Sequence, residues 1–261
     1  MDAKPYILAI IIVAIYAGMY VISKAAFDHG MNSFVFVFYR QAAASVWLLP
    51  IALVLGRKNV QSMSLRLLVK LFFLALIGST LGLNFSNASV TLTSATVASA
   101  TSNSTPVITF VLALLFRMEA VKLRSSSGIA KVTGVALCLA GALTIALYTG
   151  PSLSPINHHR AFGAHAAPAS KAPSRGTWII GTFLMVLSNV TWSLWMVWQA
   201  VVLKEYPNKM LITTVQCVFS TVQSFVVAAV AERDFTKWKL QFDVSLLAVA
   251  YTGFVVTGVS F

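Results

Sequence analysis

A chain of 261 residues that is 58% hydrophobic and only 10% charged cannot cover a water-facing surface, because a soluble domain carries about 25% charged residues. The net charge of +12 does not mark a nucleic-acid binder, since the basic residues form short clusters between apolar runs instead of lining one face. Cys138 and Cys217 both lie inside apolar runs, which excludes a disulfide framework or a metal-ligand spacing and suits small core residues.

The mean hydropathy of +0.82 points to lipid as the surrounding solvent. A spanning helix needs about 20 mostly apolar residues. Runs of that kind cover 6–24, 34–55, 68–85, 95–116, 129–148, 178–199, 211–231 and 244–261. The first follows Lys4 and is longer than the roughly 7–15 apolar residues of a signal-peptide core, so it reads as a retained helix. Glycine, serine and threonine recur at close spacing, as in Gly134 and Gly141, and small residues let membrane helices approach closely. The segment 150–176 is rich in Pro, Ser, Ala and His and reads as a flexible, non-cytosolic linker. It divides the chain into 1–149, with five helices, and 177–261, with three. His158, His159 and His165 in the linker suit a solvated loop better than a metal site.

Lys and Arg in the loops set the expected orientation. Arg57, Lys58 and Arg66 follow the second run, Arg117, Lys122 and Arg124 the fourth, and Lys204 and Lys209 the sixth. All fall on the side of Lys4, which places the N-terminus in the cytosol. Arg160, Lys171, Arg175, Arg233, Lys237 and Lys239 fall on the far side and weaken the bias.

Adding 175 to a residue number aligns the two groups without a gap. Ala25 then meets Ala200, Gln41 meets Gln216, Ser45 meets Ser220, Gly78 meets Gly253, and Lys24 meets Gln199. A repeat of five helices is odd-numbered, so its second copy is expected upside down, the arrangement that lets two halves rock about a midplane site. The second group lacks counterparts of the fourth and fifth helices. The chain is therefore expected to be two helices short of a symmetric ten.

Several stretches carry a resemblance in combination. Lys4-Pro5-Tyr6, Tyr16-Ala17-Gly18-Met19, Ile22-Ser23-Lys24-Ala25 and Phe34-Val35-Phe36-Val37-Phe38-Tyr39-Arg40 are followed by Thr93-Ser94-Ala95-Thr96 and Asn103, Pro106 and Ile108-Thr109-Phe110-Val111-Leu112-Ala113. Trp192-Ser193-Leu194-Trp195 and Val230-Ala231-Glu232-Arg233 complete the pattern. These resemble the plant WALLS ARE THIN-related proteins (also called nodulin-like or UMAMIT), in the EamA branch of the drug/metabolite transporter superfamily. The resemblance implies an all-α polytopic fold of ten helices in two EamA repeats, of which about eight are present here. It implies movement of amino acids, auxin or related metabolites across a plasma or vacuolar membrane. Leu81-Gly82-Leu83 stand before Asn84-Phe85, where that family has polar residues.

Charge within the bilayer costs about 3 kcal/mol on insertion scales, so Arg40, well inside the second run, is the first candidate for substrate binding. Two readings stand: its guanidinium meets a substrate carboxylate, or it snorkels to the interface. Gln41 follows it, and Gln216 is its repeat mate. Trp192, Trp195 and Trp198 recur every three residues and share roughly one face, as an aromatic wall or as interfacial anchors. Gln199 and Asn189 flank them. Asn84 and Asn103 are further candidates, with Pro106 expected to kink the fourth helix and turn Asn103 towards a polar cavity or a neighbouring helix. Three glycosylation sequons, at Asn84, Asn87 and Asn189, sit in or against the membrane and read as false positives.

Every Asp and Glu lies at a loop or helix end. Proton pumping commonly uses an intramembrane carboxylate, so facilitated movement is the expectation. No hydrolase nucleophile and base, paired aspartates or zinc motif is present, so neither an enzyme nor a cofactor is expected. The expected partners are the lipid bilayer and a small-molecule substrate. A homo- or hetero-oligomer is an open alternative, in which a shortened chain associates with full-length relatives without transporting.

Overall fold

The computed structural model describes residues 4–56, 63–118, 125–147, 175–240 and 243–257. All regular structure in them is helical: α1 Lys4–Asp28, α2 Ser33–Gly56, α3 Leu65–Leu92, α4 Ala95–Ser102, α5 Thr105–Leu115, α6 Ser126–Leu147, α7 Arg175–Glu205, α8 Lys209–Ala231 and α9 Val244–Val256. The linker residues 150–174, with their three histidines, lie outside the described residues, while Arg175 and Gly176 already belong to α7. Helix starts are marked by side chains that accept from free backbone N–H groups. Ser64 Oγ caps Leu67 N at 3.2 Å, Asn208 Oδ1 caps Leu211 N at 3.1 Å, and Asp243 Oδ1 caps Ser245 N at 2.8 Å.

Stretches of α1, α2, α3, α7 and α8 are long and apolar enough to cross a bilayer. The other three expected spans correspond to the shorter apolar helices Ala100–Leu115, Gly128–Gly141 and Val244–Val256. The fourth span is broken because α4 ends at Ser102 and α5 restarts at Thr105. Pro106 stands in the first turn of α5, where its missing N–H breaks no intrahelical bond.

The exterior is apolar, with Ile10, Val13, Val54, Phe183 and Val230 all more than half exposed. The interior is stratified. Ala26, Phe27, Phe36, Val90, Met185 and Val249 pack near one end of the bundle, and Leu67, Leu71, Leu74, Val202 and Ile212 near the other. Between them lies a polar layer. Gln41 Nε2 donates to Ser220 Oγ at 2.7 Å, Ser45 meets Thr221 at 2.9 Å, and Thr80 Oγ1 donates to Gln223 Oε1 at 2.8 Å. Apolar outside and hydrogen-bonded inside is the arrangement lipid demands, since no bulk water is available to satisfy these groups.

The ends of the bundle sort into two faces. Lys70 pairs with Glu205 at 2.6 Å on one. On the other, Asn32 Nδ2 donates to Glu232 Oε2 at 2.9 Å, Tyr39 Oη donates to Trp238 O at 2.6 Å, and Lys24 pairs with Asp28 at 3.2 Å.

Two segments depart from α geometry. Ala75–Gly82 of α3 and Tyr251–Val256 of α9 are π-helical. The offset of 175 that aligns Gly78 with Gly253 carries the first segment onto 250–257, which contains the second. Each segment sets its glycine under a neighbour. A Cβ on Gly78 would stand 2.3 Å from Trp195 Cγ, and one on Gly253 would stand 2.8 Å from Ala43 Cβ and 3.2 Å from the Arg40 carbonyl oxygen. By contrast, among the described residues nothing approaches Gly134 or Gly141, so the close approach expected there is not made by them. They lie on α6, which packs at the edge against α4 and α5.

Candidate functional site

The polar layer opens into a cavity of about 340 Å³ between α1, α2, α3, α7, α8 and the end of α9, within the range of small-molecule pockets. Its wall includes Ile12 and Tyr16, Arg40 and Gln41, Ser79 and Leu83, Trp192, Trp195 and Met196, Thr213, Gln216 and Cys217, and Thr257. Arg40 lies seven residues into α2, roughly 11 Å from its start at 1.5 Å per residue. That depth places the charge well inside the apolar slab.

Arg40 is 7% exposed, and its Nε has no hydrogen-bond partner. None of the ion pairs among the described residues includes it. The described carboxylates (Asp28, Glu205, Glu232, Asp234 and Asp243) all lie at helix ends or loops. A buried cation without a counterion is costly, and a bound anion removes the cost.

Trp192 and Trp195 form the aromatic side of the cavity, with ring centroids 4.9 Å apart and planes inclined by 32°. Trp195 Nε1 donates to Gln216 Oε1 at 3.1 Å, and Gln216 Nε2 donates to Gln199 Oε1 at 2.7 Å. Gln199 therefore stands behind the wall and supports it. Trp198 is 51% exposed instead of sharing the tryptophan face. A step of three residues turns only about 300°, so two steps carry the third ring well around the helix.

The candidates on α3 and α4 do not reach the cavity. Asn84 is buried, and its Nδ2 donates to Thr80 O at 2.7 Å. Asn103 is exposed at the C-terminal cap of α4. The polar side chain that serves the α4–α5 break comes from α7: Asn189 Nδ2 donates to Thr101 O at 2.8 Å and to Ser104 Oγ at 3.2 Å. All three sequon asparagines are buried in helices with their amide nitrogens donating hydrogen bonds. Among the described residues no cluster of His, Cys, Asp or Glu has a metal-binding arrangement.

Tyr16, Ile12, Thr213, Met196 and Cys217 were not singled out as binding residues by the sequence. A usable signal was present. Thr213 and Cys217 lie within one turn of Gln216, and Met196 is four residues from Trp192, so helical spacing from the recognised residues reaches them.

Apolar helices around a polar layer, with a mid-depth cavity lined by a buried arginine and an aromatic wall, define a multi-pass integral membrane protein. The profile of the EamA-like transporter family matches residues 3–147. Two WAT1-related proteins of Arabidopsis thaliana are 45% and 43% identical, over 99% and 100% of this chain and 73% and 75% of their own lengths. Protein WALLS ARE THIN 1 of Arabidopsis thaliana is 38% identical over 94% of this chain and 64% of its own length. No solved structure matches the chain. The chain belongs to the WALLS ARE THIN-related members of the EamA-like transporter family, a family of membrane transporters.

Proposed function

We propose that this chain moves small organic carboxylates, such as amino acids, auxin and related compounds, across a membrane by alternating access. The observation that carries this reading is Arg40, a buried cation on the wall of the cavity whose Nε has no hydrogen-bond partner and which joins none of the ion pairs among the described residues. A carboxylate presents two oxygens to the guanidinium fork, while Trp192 and Trp195 offer apolar surface to the rest of the molecule. The polar groups of Gln41 and Gln216 face largely towards neighbouring helices, so recognition rests on one charge and one aromatic surface.

Rocking of two inverted groups about this midplane cavity is supported by the matched π segments of α3 and α9. The placement of the described carboxylates at helix ends and loops favours facilitated movement down a gradient. The bias of loop Lys and Arg favours a cytosolic N-terminus, and the plasma membrane is the favoured site. The test is uptake of labelled indole-3-acetate and tryptophan by proteoliposomes. Saturable uptake that survives collapse of the proton gradient supports the proposal. Uptake equal to that of protein-free vesicles overturns it, and uptake abolished with the gradient overturns the facilitative part.

A further inference from the structure

Trp195 is held from three sides. Its indole lies over Gly78 so closely that a Cβ there would stand 2.3 Å from Cγ, 2.4 Å from Cδ1 and 2.7 Å from the Trp195 Cβ. Its ring rests on Trp192 at 4.9 Å. Its Nε1 is tied to Gln216 Oε1, and Gln216 is tied in turn to Gln199. The contact with the Trp195 Cβ is decisive: Cβ is placed by the α7 backbone and does not move when the ring turns, so a side chain at position 78 forces α3 and α7 apart there and lifts Trp195 from its seat on α3.

We infer that Gly78 and Gln216 determine size selectivity, by holding Trp195 back against α3 so that the cavity shared with Arg40 stays wide enough for a ring-bearing solute. Gly78 does so by lacking a side chain, inside a π-helical segment that brings α3 close to α7. Gln216 does so as a positioning residue, because its amide oxygen accepts from the indole and its amide nitrogen donates to Gln199. The inference rests on the cavity being the substrate site, as proposed above, but its geometry can be read without any substrate.

Cys217 lines the same cavity and supplies the readout. In a Cys138→Ser background it is the remaining cysteine of the chain. The experiment measures Cys217 modification in detergent by methyl and benzyl methanethiosulfonate. Gly78→Ala is expected to slow the benzyl reagent at least tenfold relative to the methyl reagent. Gln216→Leu, which removes the acceptor for the Trp195 N–H, is expected to shift the ratio of the two rates. Trp195→Phe alone needs no repacking at position 78 and raises the benzyl rate relative to the methyl rate, which keeps the test decisive if Gly78→Ala does not fold. A methyl-to-benzyl ratio unmoved by Gly78→Ala and Trp195→Phe overturns the inference.

Uptake of benzoate against indole-3-acetate by proteoliposomes separates this inference from the function it rests on. Loss of indole-3-acetate uptake with benzoate retained in Gly78→Ala supports both. If the thiol ratios shift as expected but neither carboxylate is taken up by the unmodified chain, the size gauge stands and the carboxylate reading falls. If both are taken up but the thiol ratios do not move, the inference alone falls.

Discussion

Replacing Arg40 by glutamine separates two free energies of opposite sign. Arg40 is 7% exposed, and its Nε has no hydrogen-bond partner. An unpaired charge at depth costs about 3 kcal/mol on insertion scales, and the cavity beside it relieves part of that. Arg40→Gln is therefore expected to stabilise the empty protein, by on the order of 1 kcal/mol. Substrate binding runs the other way. A charge-assisted hydrogen bond contributes about 1.5–3 kcal/mol, and each 1.4 kcal/mol is about tenfold in affinity. The KM for a carboxylate should then rise by roughly ten- to a hundredfold. Arg40→Lys keeps the charge, loses the fork and should fall between the two. The assay pairs thermal unfolding of the empty protein in detergent with concentration-dependent uptake of indole-3-acetate by proteoliposomes. A KM within twofold of the unmodified chain, or a clear fall in unfolding temperature, would refute the reasoning and make Arg40 a structural, snorkelling residue.

Three further outcomes follow from the geometry. Gln223→Leu removes the donor to the Phe72 carbonyl at 3.1 Å, just before the π segment, and the acceptor for Thr80 within it; it should cost about 1–2 kcal/mol, read as a lower unfolding midpoint in detergent. Asn189→Ala should loosen the α4–α5 break, because Thr101 O and Ser104 Oγ lose their tie to α7; faster amide exchange at 101–105 than in the neighbouring turns of α5 checks it. Glu232 is held below the usual carboxylate range, first by its hydrogen bond from Lys237 and then by the backbone N–H of Asp234. A depressed carboxylate contributes stability above its unfolded value and loses it as pH falls through the folded one, so acidification below the ordinary carboxylate range should weaken the Asn32–Glu232 joint between loops. Glu232→Gln should flatten that acid limb of the unfolding-temperature profile, and an unchanged limb would remove Glu232 as its cause.

The cavity was partly legible because charge and indole rings are rare enough inside apolar runs to stand out. Arg40, Gln41, Trp192, Trp195 and Gln216 could be picked out one at a time, and the structure sets all of them on one wall. Asn84 and Asn103 carried the same polar signal and went elsewhere. A short amide side chain on a helix has a backbone carbonyl within reach, as Asn84 has in Thr80, and sequence does not tell that use from a binding role. Gln199 was found for the right neighbourhood, yet it stands one hydrogen bond behind the surface it supports. Cys217 carries no signal of its own and is reached only by helical spacing from Gln216, while Tyr16 lies on α1, where no such neighbour points to it.

What the sequence by itself determined is the solvent and the element type. Long apolar runs with few charges leave the backbone no partner in lipid except its own carbonyls, so helices follow from composition and length. The family also followed, because whole stretches of residues matched in combination. Only the tertiary structure decided which face of each helix looks inward, since the hydropathy of an apolar helix is nearly the same all round and the few polar groups must find one another across helices. Gln41 with Ser220 and Thr80 with Gln223 are pairings between segments far apart in sequence, and Trp195 with Gln216 joins two consecutive helices. The π turns of α3 and α9, and the bare glycine surface under Trp195, exist only because neighbouring helices pack against them at that register.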